Sequence, residues 1–310
     1  MTDTFIVKVC DYKFISLIAE GSFGKVFRAK DRLGEKEVAV KVIEYSKYNS
    51  SLQYNSFPVE LLHEISILQS FSHENVVILH NIARYDDGIY LIFELMWTSL
   101  NSYIKMLTTD TFTNSHLKSC FYQIVKGVKY IHSKGIIHCD LSTKNIMINE
   151  SRNLKISDFG CARKINKGFR ANEAMIMTEY NRPPEILLGK VTKLNESVDC
   201  WGLGCIFGEM ANKSPLFKAR TSKHVLAKIF LAIGPPKRPQ LINSPYLHAS
   251  IAEMYYGMKN IPHLVTRLAF KLEIKGLDLI KRILVFENDK RMTGKEILND
   301  RYFEELKESA

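Results

Sequence analysis

The chain has 310 residues, 46% of them hydrophobic and 25% charged, with a formal net charge of +10. That composition suits a globular protein with a full core; no run reaches the roughly 18 apolar residues of a membrane span, and Met1–Val9 lacks the basic start and apolar stretch of a secretory signal. Lysines and arginines are scattered, without a basic run or an aromatic ladder between them, which argues against a nucleic-acid surface and leaves acidic or phosphorylated protein partners for the positive charge.

From residue 12 to about residue 95 the pattern reads mainly as strands. The stretch Ile18-Ala19-Glu20-Gly21-Ser22-Phe23-Gly24-Lys25-Val26 offers a glycine turn whose backbone N–H groups can approach phosphates, with Ala19 where G-x-G-x-x-G-x-V has its first glycine. Glu37–Ile43 is β-rich, and a period of two puts Ala39, Lys41 and Ile43 on one face. Pro58 suits a first helical position, and Leu61, Ile65 and Leu68 then recur at helical spacing with Glu64 on the same side. A hairpin turn at Asp87-Gly88 joins the apolar runs 76–83 and 89–95.

Beyond about residue 100 the pattern turns helical. Leu117, Phe121, Ile124, Val128 and Ile131 make one amphipathic helix that stops at Gly135. Residues 198–210 are apolar on nearly every side, as in a helix buried within a lobe. The six cysteines, at 10, 120, 139, 161, 200 and 205, form no Cys-x-x-Cys pair and no zinc spacing, so reduced thiols in a cytoplasmic or nuclear protein are expected. There is no linker, internal repeat or low-complexity tract.

Phosphoryl transfer needs a held triphosphate, metal ions that neutralise its charge, and a carboxylate for the nucleophile's proton. His138-Cys139-Asp140-Leu141-Ser142-Thr143-Lys144-Asn145 followed by Asp158-Phe159-Gly160 resembles the catalytic loop H-R-D-x-x-x-x-N and the D-F-G tripeptide of the protein kinase family. Agreement continues through Pro183-Pro184-Glu185 for A-P-E, Asp199-Cys200-Trp201 for D-x-W, and Arg291 for the late arginine that pairs with Glu185. The resemblance covers residues 12–305. It implies an α+β bilobal fold, with an N-lobe over about 12–95, a hinge over about 94–99, a helical C-lobe over about 100–305, and a cleft between the lobes.

It also implies the roles. Lys41 paired with Glu64 would hold the phosphates of ATP, with Ile18, Ala19, Glu20, Gly21, Ser22, Phe23, Gly24 and Val26 over the nucleotide. Ala39, Phe93, Glu94 and Met96 would surround the adenine. Asn145 and Asp158 would hold Mg2+, Asp140 would accept the proton of a protein hydroxyl, and His138 would be structural.

Within the family the pattern is similar to cyclin-dependent and mitogen-activated kinases, from the segment 58–66, from Thr178-Glu179-Tyr180-Asn181-Arg182-Pro183-Pro184-Glu185, and from 222–236. Thr178 favours Ser/Thr substrates, proline direction is implied, and a cyclin or cyclin-like activator is left open. Extra residues between Lys41 and Pro58, and His63 in place of an arginine, stand against a cyclin.

The departures carry further expectations. Cys139 replaces the arginine that normally meets an activation-loop phosphate, and Glu173 falls at the usual phosphothreonine, so activity without loop phosphorylation is expected, with Arg163 as partner of Glu173. Ser142 replaces a lysine that holds the γ-phosphate, and Lys144 is expected to supply that charge. Phe23 removes an inhibitory tyrosine, and Cys161 is either open to electrophiles or buried and inert. The rival reading is a pseudokinase acting as a binding scaffold, which Cys139 and Ser142 favour and the retained set Lys41, Glu64, Asp140, Asn145 and Asp158 opposes.

Overall fold

The computed structural model describes residues 11–21, 24–32, 34, 36–44, 59–85, 88–107, 112–166, 168, 177–189, 191, 193–234 and 263–308. They form an α+β fold of two units. The first takes the described chain up to Thr98 together with Met147–Gly160; the second takes Ser99–Ile146 and the described chain from Cys161 onward.

The first unit is built on an antiparallel sheet of β1 (Tyr12–Gly21), β2 (Gly24–Asp31), β3 (Glu37–Glu44), β4 (Leu79–Tyr85) and β5 (Gly88–Glu94), in the order β1-β2-β3-β5-β4. One helix, α1 (Val59–Gln69), lies in sequence between β3 and β4. Alternation along β3 decides what each face does. Val38, Val40 and Val42 pack with Ala29, Tyr90 and Ile92 on one side. On the other side Ile43 packs with Ile89, Leu91 and Leu61 of α1. The helix therefore covers the face that carries Lys41. Pro58, expected to open this helix, lies outside the described residues.

The hairpin expected around Asp87-Gly88 is present as β4 and β5, closed by the pair Tyr85 and Gly88. The apolar run starting at 76 becomes a strand only at Leu79, because Val76 and Val77 are used elsewhere. Val76 bridges Ile156, and the Val77 N–H donates to the Ile156 carbonyl at 2.9 Å. The Ile156 N–H in turn donates to the Asn75 carbonyl at 3.0 Å. These bonds explain why Met147–Gly160 belongs with the sheet unit, whereas the sequence boundary near residue 100 puts it in the helical half.

The second unit contains α2 (Leu100–Met106), α3 (Asn114–Ser133), α4 (Pro184–Leu187), α5 (Ser197–Asn212) and α6 (Ser222–Ile233), followed by helices at His263–Leu268, Ile274–Ile283, Gly294–Leu298 and Glu304–Glu308. Thr113 caps α3 by accepting from the His116 N–H, and Gly135, at φ 72°, supplies the left-handed stop. Leu117, Phe121, Ile124, Val128 and Ile131 are all buried. Helix α5 is buried along its whole apolar run from Val198 to Met210. Phe207 of α5 stacks on Phe121 of α3 with centroids 4.3 Å apart, so the two helices share one core.

Candidate active site

Lys41 lies in β3 opposite Val26 of β2 and Leu91 of β5. Period two sends its side chain to the α1 side, where Glu64 stands three residues after the core residue Leu61. The Lys41 Nζ is 3.1 Å from Glu64 Oε1 and 3.9 Å from Asp158 Oδ1. Glu64 is buried, so this pair is shielded from water and its attraction is stronger than at a surface. Phe159, itself buried, packs on Phe71 with centroids 5.1 Å apart and seats the turn that carries Asp158. Asp158 has a left-handed φ of 61°, a conformation that costs a non-glycine residue about 1–3 kcal/mol and is held only where its surroundings enforce it.

Directly paired residues of neighbouring strands face the same way, so Val26, Ala39 and Phe93 share the Lys41 face. Ile18, Ala19 and Glu20 are exposed along β1. Gly21 pairs with Gly24 where β1 turns toward β2, and Ser22 and Phe23 lie outside the described residues. Gly24 has φ 133°, and a Cβ there would collide with the Val42 carbonyl oxygen. Glycine is required at that position. After Glu94 the chain leaves the sheet, and Leu95, Met96 and Trp97 line an open cleft with Ser16 and Ile18.

In the second unit the catalytic loop is hung from one carboxylate. Asp199 of α5 is fully buried. Its oxygens accept from the His138 N–H at 2.8 Å and the Cys139 N–H at 2.9 Å, and bond His132 Nε2 at 2.8 Å. Burial pushes the Asp199 pKa up, but the hydrogen bond from His132, the two nearby imidazoles and the His138 N–H outweigh it and hold the group below the usual carboxylate range. Two successive N–H groups on one acceptor fix the turn, and Cys139 takes φ 67° as a result. His138 is fully buried and accepts the Asp140 N–H on Nδ1 at 3.2 Å, a structural bond.

That turn presents Asp140. Its Oδ2 accepts from Asn145 Nδ2 at 2.9 Å, and the same amide donates to the Asp140 backbone carbonyl at 2.8 Å. Asp140 Oδ1 accepts the Thr178 N–H at 2.6 Å. The carboxylate is thus fixed by two donors, one on each oxygen, and each oxygen keeps a further lone pair.

The departures have clear physical outcomes. Cys139 is buried in an apolar cluster with Met177, Ile186, Leu194 and Val198, and burial holds its thiol well above the ordinary range. The side chain at 139 itself offers no charge to a phosphate; Arg163 is the cation whose charge reaches it. Cys161 belongs to the same cluster and is buried. Ser142 is buried and, among the described residues, its Oγ has no hydrogen-bond partner. Lys144 is exposed on the loop, and its charge is felt by the buried carboxyl of Glu209. Glu173 lies outside the described residues. Arg291 and Glu185 pair in a two-point bond at 3.0 and 3.1 Å, with the guanidinium 5.0 Å over the Trp201 ring.

Three working parts are not in the sequence reading. Arg182 is buried, and its Nε and Nη2 both donate to the Met177 carbonyl, at 3.1 and 2.9 Å. The Thr178 N–H orients Asp140. Lys155 bonds Glu94 at 2.9 Å. Arg182 falls inside a quoted motif, but its acceptor is a backbone carbonyl, which leaves no trace in residue identity.

Described helices include none long and apolar enough to cross a membrane. A profile described as the protein kinase domain matches residues 12–303. The chain is similar to cyclin-dependent kinase G1 of Arabidopsis thaliana, 31% identical over 306 residues, which is 96% of this chain and 50% of the relative. It is also similar to cyclin-dependent kinase G-1 of Oryza sativa subsp. indica, 30% identical over 309 residues, with 96% and 43% covered. The chain spans about half the length of these curated relatives.

Proposed function

Because the chain belongs to the protein kinase family, we propose that it transfers the γ-phosphoryl group of ATP to serine or threonine hydroxyls of proteins, chiefly those followed by proline. The observation that carries the reading is the Lys41 ammonium held by Glu64 and close to Asp158, a fixed cation for a polyphosphate beside a carboxylate for its metal. Magnesium prefers hard oxygen donors and is usually held by one or two carboxylates plus substrate phosphates. By donor chemistry alone, the half-exposed Asp158 carboxylate of the first unit and the amide oxygen of Asn145 in the second are each of the kind that metal takes. Among the described residues no cluster of three His, Cys, Asp or Glu offers a cage of its own. Bound there, the metal would neutralise phosphate charge.

The residues divide the work. Lys41 pairs with the phosphates, and Glu64 keeps it in register. Asp140 accepts the hydroxyl proton as the substrate oxygen bonds to the γ-phosphorus and the bond to the bridging oxygen of ADP breaks. Asn145 and the Thr178 N–H aim that carboxylate. Proline direction rests on Arg182. A substrate N–H passing Met177 meets a carbonyl already claimed by two guanidinium donors, and only proline brings no N–H to be left unpaired. Independence from loop phosphorylation rests on Cys139, an uncharged side chain within an apolar cluster where the family's loop has an arginine for a phosphate to neutralise. Lys144 supplies the charge that Ser142 lacks.

A cyclin-type activator is the partner that the relatives' names bring to this chain. The assay is transfer from labelled ATP to Ser-Pro and Ser-Ala peptides, with and without cyclins, before and after phosphatase treatment. Selective labelling of Ser-Pro that survives phosphatase is expected; loss on phosphatase treatment refutes the independence. A scaffold without turnover is the second reading, favoured by the inward, unpaired Ser142. It requires that the peptides stay unlabelled while protein partners bind.

A further inference from the structure

Lys155 sits in the short strand Leu154–Ile156 and is only 7% exposed. An ammonium so placed is held only by a partner of opposite charge, and its Nζ lies 2.9 Å from Glu94 Oε1. The same oxygen accepts the Ile78 N–H at 2.8 Å, and the Glu94 N–H donates back to the Ile78 carbonyl at 3.3 Å. The last residue of β5 is therefore gripped through both its side chain and its backbone. On the far side, the Trp97 N–H donates to the Ile148 carbonyl at 2.8 Å. Leu95 and Met96 are suspended between those two anchors, along the cleft they share with Ile18.

The strand under Lys155 is fixed in turn. Asn75, itself buried, donates from Nδ2 to the Leu154 carbonyl at 3.0 Å and accepts the Ile156 N–H at 3.0 Å. An apolar pair of similar volume would hold the fold as well as this ion pair does. A point-to-point charge contact adds direction, because it fixes where the Glu94 side chain, and so its peptide groups, must point.

We propose that Lys155 is a positioning residue for the nucleotide base: acting through Glu94, it sets the aim of the Glu94 and Met96 peptide groups that meet the adenine, without touching the nucleotide. This rests on the nucleotide-binding reading above. Misaligning one neutral hydrogen bond weakens binding by about threefold to tenfold.

The test uses the full chain with magnesium and ATP, measuring the Kd by titration calorimetry and then KM and kcat separately. Lys155→Met and Glu94→Gln should each raise Kd and KM by that factor and leave kcat at saturation within about twofold. Lys155→Arg should recover much of the loss. Purine riboside triphosphate, which lacks the amino group of adenine, should lose its disadvantage against ATP in Lys155→Met. Lys118→Met controls for the cost of removing a buried, ion-paired ammonium, since Lys118 is buried and pairs with the more exposed Glu273 and Glu305, each at 2.9 Å; its KM should not move. If wild type fails to bind the nucleotide, the functional reading fails. If wild type binds and Lys155→Met and Glu94→Gln match it in Kd and KM, or change only kcat, the role of Lys155 alone is refuted.

Discussion

Replacing the proline after the target serine by N-methylalanine separates a missing N–H from a ring-shaped pocket. Arg182 donates to the Met177 carbonyl at 3.1 and 2.9 Å and is itself buried, with Ser222 Oγ 3.4 Å from its Nη1. Burial lowers the Arg182 pKa from its ordinary value, with Glu179 and Asp140 acting against that, yet an arginine stays charged throughout the working range. The Met177 carbonyl is thus occupied at every accessible pH. On the proposed proline-directed reading, a substrate with alanine after the serine would bury an N–H without an acceptor, at about 1–3 kcal/mol, which is roughly 5-fold to 150-fold in kcat/KM. Three peptides alike except for proline, alanine or N-methylalanine at that position are compared by initial rates at low concentration. N-methylalanine should fall within about threefold of proline and well above alanine. An Arg182→Met variant, checked for folding by thermal melting, should narrow the proline-to-alanine ratio as the carbonyl becomes available. The reasoning is refuted if N-methylalanine is as poor as alanine, or if the ratio is unchanged in a folded Arg182→Met enzyme.

Other consequences can be measured with standard variants. Glu64→Gln keeps the shape of the 3.1 Å contact to Lys41 but removes its charge, and turnover should fall about 10-fold to 100-fold with the melting temperature little changed. Arg291→Met strands Glu185 in a buried setting; urea unfolding should show a loss of about 3–5 kcal/mol. Burial raises the Glu209 pKa, against the bonds from Thr143 and Asn101. The folded state then holds its proton to higher pH than the unfolded state, so stability declines as pH rises above the ordinary carboxyl range of about 4. Glu209→Gln should flatten that decline in urea titrations across the range.

How far the sequence could be read follows from the kind of signal each part leaves. The Lys41 and Glu64 contact was legible because strand and helix periods put both on facing sides once Leu61 and Ile43 were assigned to the core. Helix α3 was legible from five apolar residues at one spacing and a glycine with a left-handed φ. The grouping of Met147–Gly160 with the sheet unit leaves no trace in the sequence, because two- and three-residue strands carry no periodicity; it follows from backbone bonds of Ile156 with Asn75 and Val77. The catalytic loop motif named Asp140 and Asn145, yet the buried Asp199 that shapes the loop sits some sixty residues downstream, beyond any local pattern. The inward turn of Ser142 and the grip of Arg182 on a carbonyl depend on backbone direction, which side-chain identity does not encode.

Single-turnover transfer of labelled γ-phosphate to a Ser-Pro peptide, in wild type and Asp140→Asn, bears most directly on whether these side chains act on one nucleotide. The label should reach the serine in wild type and be slowed by about 100-fold or more in the variant, with magnesium–ATP affinity preserved. Equal labelling by both proteins, or nucleotide bound by wild type with no label passed on, would contradict it.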